Sequence, residues 1–247
     1  LYFGWTWANA VRKQPTVQQG YSESENGNGN NISVASPEAL AWLISKSFGL
    51  NDQDTINFAN DSISQTKDID LLQYVWVPIS DSIASRGYRP FAGSYDGRGH
   101  LISNLSIMYI GKGDKIYERN NYGLFGYVKK GSVNRTFVVS GVIQPNASIS
   151  AGQEQSYNIG GLVGCLDGSE SVVSNSEAAV NINCPNKTGY ETVTGGLVGM
   201  MEGGKIHSSM AMPQVRVGYF TKGPVGGLVG DAKAGTIRNS FVNAKFT

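Results

Sequence analysis

The chain has 247 residues, with 20 Lys and Arg against 19 Asp and Glu, so its formal net charge is +1. This balance argues against a nucleic-acid partner, because such proteins usually carry a basic excess on one face. Charged residues make up only 16% of the chain while glycine contributes 32 residues, which is typical of a turn-rich all-β protein. No run of about 18 apolar residues occurs, so no membrane span is predicted and any anchor is expected outside this chain.

Residues 1–35 are predicted to form an N-terminal segment ahead of the main domain. Within it, residues 20–31 consist almost entirely of Gly, Ser, Glu and Asn. Such a composition is typical of a flexible linker or a surface loop.

The clearest helix of the sequence is predicted over residues 37–48. Ser36 can cap its N-terminus, Pro37 occupies the first helical position and Gly49 marks its end. Apolar residues recur between these signals at helical spacing: Leu40, Leu43, Ile44 and Phe48.

Residues 50–120 change to short β-like pieces separated by turns. Asp68-Ile69-Asp70-Leu71 and Trp76-Val77-Pro78-Ile79 are two of them. A longer stretch, residues 91–107, alternates around Asp96-Gly97-Arg98-Gly99, which is a turn signal between two strands.

A glycine-rich motif then recurs along residues 121–247. Three copies share one form, Gly160-Gly161-Leu162-Val163-Gly164, Gly195-Gly196-Leu197-Val198-Gly199 and Gly226-Gly227-Leu228-Val229-Gly230. A weaker first copy is Gly123-Leu124-Phe125-Gly126, preceded by Tyr122 where the others have Gly. The final glycines lie 38, 35 and 31 residues apart, a period typical of stacked repeat architectures.

Two further columns follow each copy of the motif. An apolar residue stands seven residues beyond the final glycine, or nine in the second copy: Val133, Val173, Ile206 and Ile237. A hydroxyl residue comes three positions later, suited to capping turns or to a hydrogen-bonded ladder: Thr136, Ser176, Ser209 and Ser240. Alternating apolar stretches follow, so each repeat offers about three short strands.

A unit of this size cannot bury an apolar face alone, whereas stacked units share one core. We therefore predict an all-β, right-handed parallel β-solenoid over residues 36–247. Its inward ladder is expected to be Leu124, Leu162, Leu197 and Leu228, with the motif glycines permitting positive φ at corners and close backbone approach. The number of coils per repeat stays open, and one antiparallel propeller blade per repeat is the competing layout.

Open solenoid ends expose strand edges and need covering. The helix over residues 37–48 is expected to cap the N-terminal end. The chain stops at Phe246-Thr247 without an obvious cap, so a further segment or a partner is expected to cover that edge.

The Gly-Gly-Leu-Val-Gly copies resemble the GLUG motif of bacterial secreted and surface proteins, a repeat found beside IgA-cleaving peptidases and in adhesin-like proteins of gut Bacteroidetes. The upstream pieces from Asp68 to Leu105 are similar to the segment that commonly precedes those repeats. The resemblance covers about residues 36–247. It implies a β-solenoid at the bacterial cell surface, in an adhesion role, with no catalytic residue in the repeats.

Candidate catalytic and metal sites are few. Asp96 and His100 are spaced for an acid–base pair, although a turn in which both bond local backbone is the simpler interpretation. His207 is expected to point outward from a strand. Carboxylates crowd one upstream stretch, but they lack the Gly and terminal Glu of a calcium loop, so no metal or cofactor is predicted: Asp52, Asp54, Asp61, Asp68 and Asp70.

The two cysteines are predicted to differ in environment. Cys184 shares strand parity with Val180 and Ile182, so it is expected to lie inward. Cys165 occupies the column of Tyr127, Met200 and Asp231, which suggests the surface or a corner. A disulfide between them is therefore not expected.

Aromatic residues in or near the longer inter-repeat loops are the candidate ligand contacts, because a Tyr ring can bind sugar or protein. An equally weighted alternative is that several of them merely cover the edge of the core. The candidates are Tyr109, Tyr117, Tyr122, Tyr157, Tyr190, Tyr219 and Phe220.

These features favour a non-catalytic extracellular module that presents a repeat scaffold to a host or surface glycan or protein. A polysaccharide-active β-helix enzyme is the second hypothesis, favoured if Asp, Glu, Lys and Arg converge in one groove. A structural spacer within a larger surface protein is the third.

Overall fold

The computed structural model describes residues 6–50, 55–72, 74–81, 89–108, 120–145, 155–184, 190–219 and 222–247. Within these ranges lie two helices, α1 (Trp7–Ala10) and α2 (Pro37–Phe48), and 27 short strands. No helix of the described part is long and apolar enough to cross a membrane.

Helix α2 has the predicted bounds and covers the N-terminal end of the solenoid. The Ser36 hydroxyl accepts a hydrogen bond from the Ala39 amide at 3.1 Å, and Gly49 ends the helix at φ 61°. Most residues of α2 are buried, and α1 packs on it. The segment that follows the helix also contacts it: the Ile56 amide donates to the Lys46 carbonyl at 3.0 Å, and the Ser80 amide donates to Ser47 Oγ at 3.2 Å.

The N-terminal segment is not the predicted linker or loop. Strand β1 (Tyr21–Asn26) and strand β2 (Gly29–Val34) form an antiparallel hairpin. Gly27, at φ 64°, supplies the positive φ that a two-residue hairpin loop requires. Strand β2 then pairs in parallel with β3 (Ser62–Gln65), so the expected boundary near residue 35 falls inside one continuous sheet.

The remaining strands follow in chain order as incomplete upstream coils and then four complete coils of five strands each. The upstream strands are β4 (Ile69–Asp70), β5 (Ser94–Asp96), β6 (Leu101–Ser103) and β7 (Leu105–Met108). The first coil contains β8 (Asn121–Tyr122), β9 (Phe125–Lys129), β10 (Ser132–Asn134), β11 (Phe137–Val138) and β12 (Gly141–Gln144). The second coil contains β13 (Gln155–Gly160), β14 (Val163–Asp167), β15 (Val172–Ser174), β16 (Glu177–Ala178) and β17 (Asn181–Asn183).

The third coil contains β18 (Tyr190–Gly195), β19 (Val198–Met201), β20 (Lys205–His207), β21 (Met210–Ala211) and β22 (Gln214–Arg216). The terminal coil contains β23 (Val225–Gly226), β24 (Val229–Ala232), β25 (Thr236–Arg238), β26 (Phe241–Val242) and β27 (Lys245–Phe246). Each repeat therefore forms five strands rather than the predicted three, because the pieces on either side of the leucine are extended too.

Equivalent strands of successive coils stack into five sheets. We number the sheets in the order in which their strands follow one another within each complete coil. Sheet 1 is β8-β13-β18-β23 and sheet 2 is β9-β14-β19-β24. Sheet 3 is β1-β2-β3-β5-β10-β15-β20-β25, sheet 4 is β4-β6-β11-β16-β21-β26, and sheet 5 is β7-β12-β17-β22-β27.

One repeat makes one coil, which settles the number that the sequence left open. Val163 pairs in parallel with Phe125 in the coil before it and with Val198 in the coil after it. Pairing of the described strands is parallel throughout except in the β1–β2 hairpin. The β-solenoid is therefore confirmed, and the antiparallel propeller is excluded.

The predicted inward ladder is confirmed for three of its four leucines. Leu124, Leu162 and Leu197 are fully buried, while Leu228 is half-buried because it lies in the terminal coil. The second apolar column behaves alike: Val133, Val173 and Ile206 are fully buried, and their terminal equivalent is partly exposed.

The motif glycines serve close approach and not positive φ, so half of that prediction is wrong. None of them has φ in the left-handed region. A Cβ built on Gly161 would lie 2.4 Å from the carbonyl oxygen of Gly196 in the next coil, and one on Gly196 would lie 2.1 Å from that of Gly227. Since real Cβ atoms do not approach backbone so closely, neighbouring coils can meet at this corner only if it is made of glycine.

Candidate binding face

Charged side chains of successive coils come together on the outer face of sheet 2. The last glycine of each motif positions this sheet. A Cβ on Gly164 would lie 2.7 Å from the amide nitrogen of Tyr122, and a Cβ on Gly199 would lie 2.6 Å from that of Ile159. Sheet 2 therefore packs tightly against sheet 1 of the preceding coil.

A small apolar cluster, separate from the main core, fills the space between these two sheets. It contains Cys165, Val193 and Met200, with Tyr127 packed on it. Cys165 pairs in register with Tyr127 and Met200, as its place in the repeat predicts. The expectation that Cys165 lies at the surface is wrong, because the neighbouring Val193 and Met200 cover it.

The Cys165 thiol is chemically quiet in this setting. Burial, followed by the charge of Glu202, raises its pKa to about 12, so the reactive thiolate is scarce at neutral pH. Cys184 is buried as predicted, with its sulfur 3.5 Å from the Thr194 hydroxyl. Cys165 and Cys184 are both buried as free thiols in the structure, and the absence of a disulfide stays a prediction.

Beside this cluster runs a set of stacked charges that we call the charged column: Lys129, Asp167, Glu202 and Lys233. Lys129 Nζ lies 2.7 Å from Asp167 Oδ2, and the Tyr127 hydroxyl donates to the same oxygen at 3.0 Å. Lys233 Nζ lies 3.4 Å from Glu202 Oε1. The charges therefore follow one another along the solenoid as cation, carboxylate, carboxylate and cation, with one ion pair at each end of the column.

Lys129 and Asp167 keep their charges at neutral pH. The hydrogen bond from Lys129 holds the pKa of Asp167 below its ordinary value, and Asp167 in turn raises the pKa of Lys129. Burial raises the pKa of Tyr127, so its hydroxyl stays a donor. Only 17% of the Asp167 side chain is exposed, against 48% of Lys129, so the other three members present most of the surface to solvent.

Sequence reasoning did not single out the charged column, although a signal for it exists. Each member stands three residues after the final glycine of its motif. Asp167 and Glu202 are 35 residues apart in the chain, and a search for adjacent acidic pairs along the repeats passes over them. They come together because one repeat makes one coil, which the sequence left open.

The predicted tyrosine contacts are divided by the structure. Tyr157 is buried in strand β13, with its ring 5.6 Å from that of the equally buried Tyr122. The prediction of an outward contact is therefore wrong for both, because they lie in strands of sheet 1 and their side chains are buried. Tyr190 lies in strand β18 opposite Gln155. Tyr219 is 91% exposed, as predicted. The other candidates, Tyr109, Tyr117 and Phe220, lie outside the described residues.

The Asp96 and His100 side chains do not form an acid–base pair. Asp96 Oδ1 accepts from the Arg98 amide at 2.9 Å, as the turn interpretation expects, and its carboxylate also forms an ion pair with Arg135. His100 Nδ1 instead lies 3.3 Å from Asp68 Oδ1. His207 is half-buried on sheet 3.

The upstream carboxylates serve local structure. Asp61 accepts from the Asn30 amide at 2.8 Å, and Asp70 accepts from Asn104 Nδ2 at 2.8 Å. Within the described ranges no three His, Cys, Asp or Glu side chains are grouped to hold a metal ion. Asp52 and Asp54 lie outside those ranges.

Comparison with known proteins gives little further guidance. No protein-family model and no curated protein matches the chain. One solved structure is similar in outline, a crystal structure of a protein proposed to be an immunoglobulin A1 protease from Bacteroides ovatus. The two chains are 17% identical, with a TM-score of 0.41, over 90% of this chain and 80% of that one.

Proposed function

We propose that the protein is a non-catalytic, extracellular surface module of a bacterium that binds a glycan or protein ligand and serves adhesion. The observation that carries this proposal is the charged column, in which stacked coils hold two ion pairs, Lys129–Asp167 and Lys233–Glu202, in one row at the ends of the strands of sheet 2. The resemblance of the repeats to those of surface adhesins supports the expected location.

A row of this kind suits the recognition of a polar ligand. Successive coils lie about 4.8 Å apart, so Glu202 lies about two coil spacings along the solenoid from Lys129, and Lys233 lies about one spacing further. Lys129 ends strand β9, while Glu202 and Lys233 directly follow strands β19 and β24. Parallel pairing therefore holds the backbone next to each of them, so little flexibility is lost when a ligand binds. Several weak contacts on one rigid surface can then give useful affinity through avidity.

The lowered pKa of Asp167 supports binding more than acid catalysis. A glycosidase needs one carboxylic acid whose pKa is raised, so that it can protonate the leaving group. In the part of the chain that the structure describes, each carboxyl group with a shifted pKa has that pKa lowered. They are Asp68 through the Leu101 amide, Asp167 through Lys129, and Asp96, where hydrogen bonds from Arg135 and Arg98 outweigh burial.

The stacking of Asp167 and Glu202 is nevertheless the one observation that favours a polysaccharide-active enzyme as the second candidate. Two carboxylates on neighbouring coils, flanked by Lys129 and Lys233, resemble the acidic and basic set that such enzymes need. A direct assay distinguishes the two functions. Purified protein is incubated with a panel of polysaccharides, and reducing ends are measured. Turnover that disappears in Glu202→Gln would establish the enzyme and overturn the non-catalytic proposal.

The binding proposal is tested on an array of glycans and host matrix proteins. We expect selective binding that weakens at least about tenfold in a Lys129→Ala, Glu202→Gln, Lys233→Ala triple variant. The matched control changes two charges on other sheets, Lys205→Ala on sheet 3 and Glu177→Gln on sheet 4. Tyr219→Ala tests the exposed tyrosine separately. Binding that is equal in the triple variant and the control would remove the charged column from the proposal.

Two further outcomes test the rest of the proposal. No binding above that of an unrelated β-solenoid would favour the spacer hypothesis. Labelling of intact cells with an antibody to the protein should show it at the surface of its native host. Signal that appears only after lysis would contradict the extracellular location.

A further inference from the structure

The outer face of sheet 4 is largely apolar. Side chains along a strand alternate between the two sides of a sheet, and the inward column of sheet 4 is fully buried: Ile102, Val138, Ala178 and Ala211. The residues on either side of this column therefore point outward. Over four successive coils they form two columns in which six of eight members are apolar, Leu101, Phe137, Glu177 and Met210 in one and Ser103, Val139, Ala179 and Met212 in the other.

The corresponding face of the neighbouring sheet 3 is polar. In strands β3, β5, β10, β15 and β20, one outward residue out of ten is apolar, Val172. The other nine are Ser62, Ser64, Ser94, Asp96, Ser132, Asn134, Ser174, Lys205 and His207. A solvated sheet face usually has this polar pattern, whereas a contiguous exposed apolar patch marks an interaction site.

The exposure of these apolar residues arises on the side of the solenoid. Leu101 and Met212 are 40% and 36% exposed, and Phe137 and Met210 are half-buried. Each of them has a coil on both sides, since β6 lies between β4 and β11, and β21 lies between β16 and β26. The outer face of sheet 4 is therefore defined without any residue of the terminal coil.

A single carboxylate interrupts the apolar columns. Glu177 stands in register between Phe137 and Met210 and is half-buried. It forms no ion pair with any residue that the structure describes. Arg135, two residues before Phe137, pairs with Asp96 instead. A cation from a partner can therefore pair with Glu177 while its aliphatic stem covers the apolar residues on either side.

Two further carboxylates lie at the N-terminal end of the same two columns. Asp70 pairs in register with Ser103, and Asp68 Oδ1 accepts from the Leu101 amide at 2.9 Å. The two columns contain no Lys or Arg over the described strands β4, β6, β11, β16 and β21. This face therefore combines apolar side chains with carboxylates, which makes it complementary to a basic partner.

The spacing of the rows indicates the form of that partner. Rows repeat about every 4.8 Å along the solenoid, and side chains on one face of an α-helix repeat about every 5.4 Å. An extended strand places them about 6.7 Å apart, so a helix that lies along the solenoid matches the rows better. Asp70 and Glu177 are three rows apart, which is about 14 Å or about ten residues of helix.

We propose that the outer face of sheet 4 is a docking surface for a basic amphipathic helix of a partner protein. The helix would pack its apolar stripe on Leu101, Phe137 and Met210, and it would place Lys or Arg over Glu177 and, about three turns away, over Asp70. A second copy of this chain fits less well, because pairing two such faces would bring carboxylates together. The charged column lies on sheet 2, so the inference does not depend on the proposed function.

A designed peptide is the probe for this surface. It is an Ala-based helix of about 18 residues, with two Arg about three turns apart and Leu on the same face between and beyond them. One control peptide has Glu in place of both Arg. A second control peptide has the same composition, with Leu and Arg distributed around the helix. Binding of each fluorescently labelled peptide to the full chain is measured by anisotropy.

Variants of the chain locate the binding. Glu177→Lys reverses the central charge, and Phe137→Ser removes an apolar contact. The matched controls are Glu170→Lys, in a turn outside sheet 4, and Val172→Ser, at the apolar outward position of sheet 3. Thermal unfolding verifies that each variant is folded before its binding is compared.

We expect the Arg peptide to bind at least about tenfold more tightly than either control peptide, and about 0.5 M salt should weaken its binding. Glu177→Lys and Phe137→Ser should each weaken binding at least about tenfold, whereas the two control variants should bind as the wild type does. Equal binding of all three peptides, or binding that survives both sheet 4 variants, would overturn the docking surface.

Two other outcomes would name a different occupant. Tighter binding of the Glu peptide would overturn the basic partner. Self-association of the chain that is lost in Phe137→Ser would assign the face to a second copy. Glu177→Gln is also part of the control for the charged column, so array binding that is lost in that control and kept in the triple variant would implicate sheet 4 rather than sheet 2.

Discussion

The Ser176 hydroxyl oxygen accepts a hydrogen bond from the Thr136 amide of the preceding coil at 3.1 Å, and it donates to the Ser174 carbonyl at 2.7 Å. The same pair of bonds recurs one coil later, where the Ser176 amide donates to Ser209 Oγ at 3.2 Å. The predicted hydroxyl column is therefore a continuous ladder. It satisfies buried amide groups at the corner between sheets 3 and 4.

Replacing one member should break this ladder. We expect Ser176→Ala to lower the free energy of unfolding by about 1–3 kcal/mol, because the buried Thr136 amide loses its acceptor. Ser176→Thr should cost less, since Thr136 already occupies the equivalent position in the first coil. Urea titration measures both. An Ala variant as stable as the wild type would show that the hydroxyl contributes nothing.

Truncating the leucine ladder should cost most where coils cover it on both sides. Leu197→Ala should lower the free energy of unfolding by about 2–5 kcal/mol, because it leaves a cavity in the core. Leu228→Ala removes the same atoms from the half-buried terminal position and should cost roughly half that or less. Denaturant unfolding compares the pair. Equal losses would mean that the terminal coil buries its leucine as fully as the third.

The glycine that seats sheet 2 against sheet 1 should not tolerate a methyl group. Gly199→Ala would place its Cβ 2.6 Å from both the Ile159 amide nitrogen and the Gly164 carbonyl oxygen. We expect a loss of more than about 3 kcal/mol or failure to fold. Gly27→Ala is the control for backbone strain alone, since its φ is positive but its Cβ has open space, and it should cost about 1–2 kcal/mol. If thermal unfolding ranks these two variants in the opposite order, close approach is not the role of the motif glycine.

Stability in acid should depend on Asp167. Its pKa is lowered in the folded chain by Lys129, so it favours the folded state at and above the ordinary carboxyl pKa. That contribution is lost as the pH falls through the folded value, below about pH 4. Asp167→Asn should therefore lose less stability than the wild type between neutral pH and about pH 2. Glu170→Gln removes one carboxylate at an exposed position of the same coil and is the control for the loss of a negative charge. An acid profile that changes equally in both variants would contradict a specific role of Asp167.

Both cysteines should be unreactive until the chain unfolds. Burial raises the pKa of Cys165 to about 12 and also raises that of Cys184. Ellman's reagent at about pH 8 should label neither thiol in the native protein. It should label both in denaturant without reductant. Fewer than two thiols in denaturant would reveal a disulfide, and rapid native labelling would place Cys165 at the surface after all.

Much of the fold could be predicted from the sequence, because its signals are local or strictly periodic. The capping residues Ser36 and Gly49 predicted the bounds of α2, and the period of the motif predicted the leucine ladder. The hairpin was missed, although Gly27 stands in an Asn-Gly-Asn-Gly stretch that is itself a turn signal. The polar composition of residues 20–31 favoured a linker instead. A hairpin at the edge of a sheet has few buried positions, so it needs few apolar residues and lacks the usual strand signal.

The candidate site was harder to predict because it depends on contacts between coils. Asp167 and Glu202 become neighbours only when one repeat makes one coil. Tyr157 was predicted to lie in or near one of the longer inter-repeat loops, yet strand β13 begins before it, at Gln155, and its side chain is buried. Cys165 was assigned to the correct column, but its burial depends on Val193, which belongs to a different sheet and repeat.

The finding that one repeat makes one coil also bears on what the repeats are for. Each repeat uses 31 to 38 residues and lengthens the stack by only about 4.8 Å. An α-helix covers that distance with about three residues, so the solenoid uses far more residues than a helix for the same increase in length. What each repeat adds instead is outer surface. Each of its five strands carries outward-facing side chains, and these can vary independently while the core stays the same.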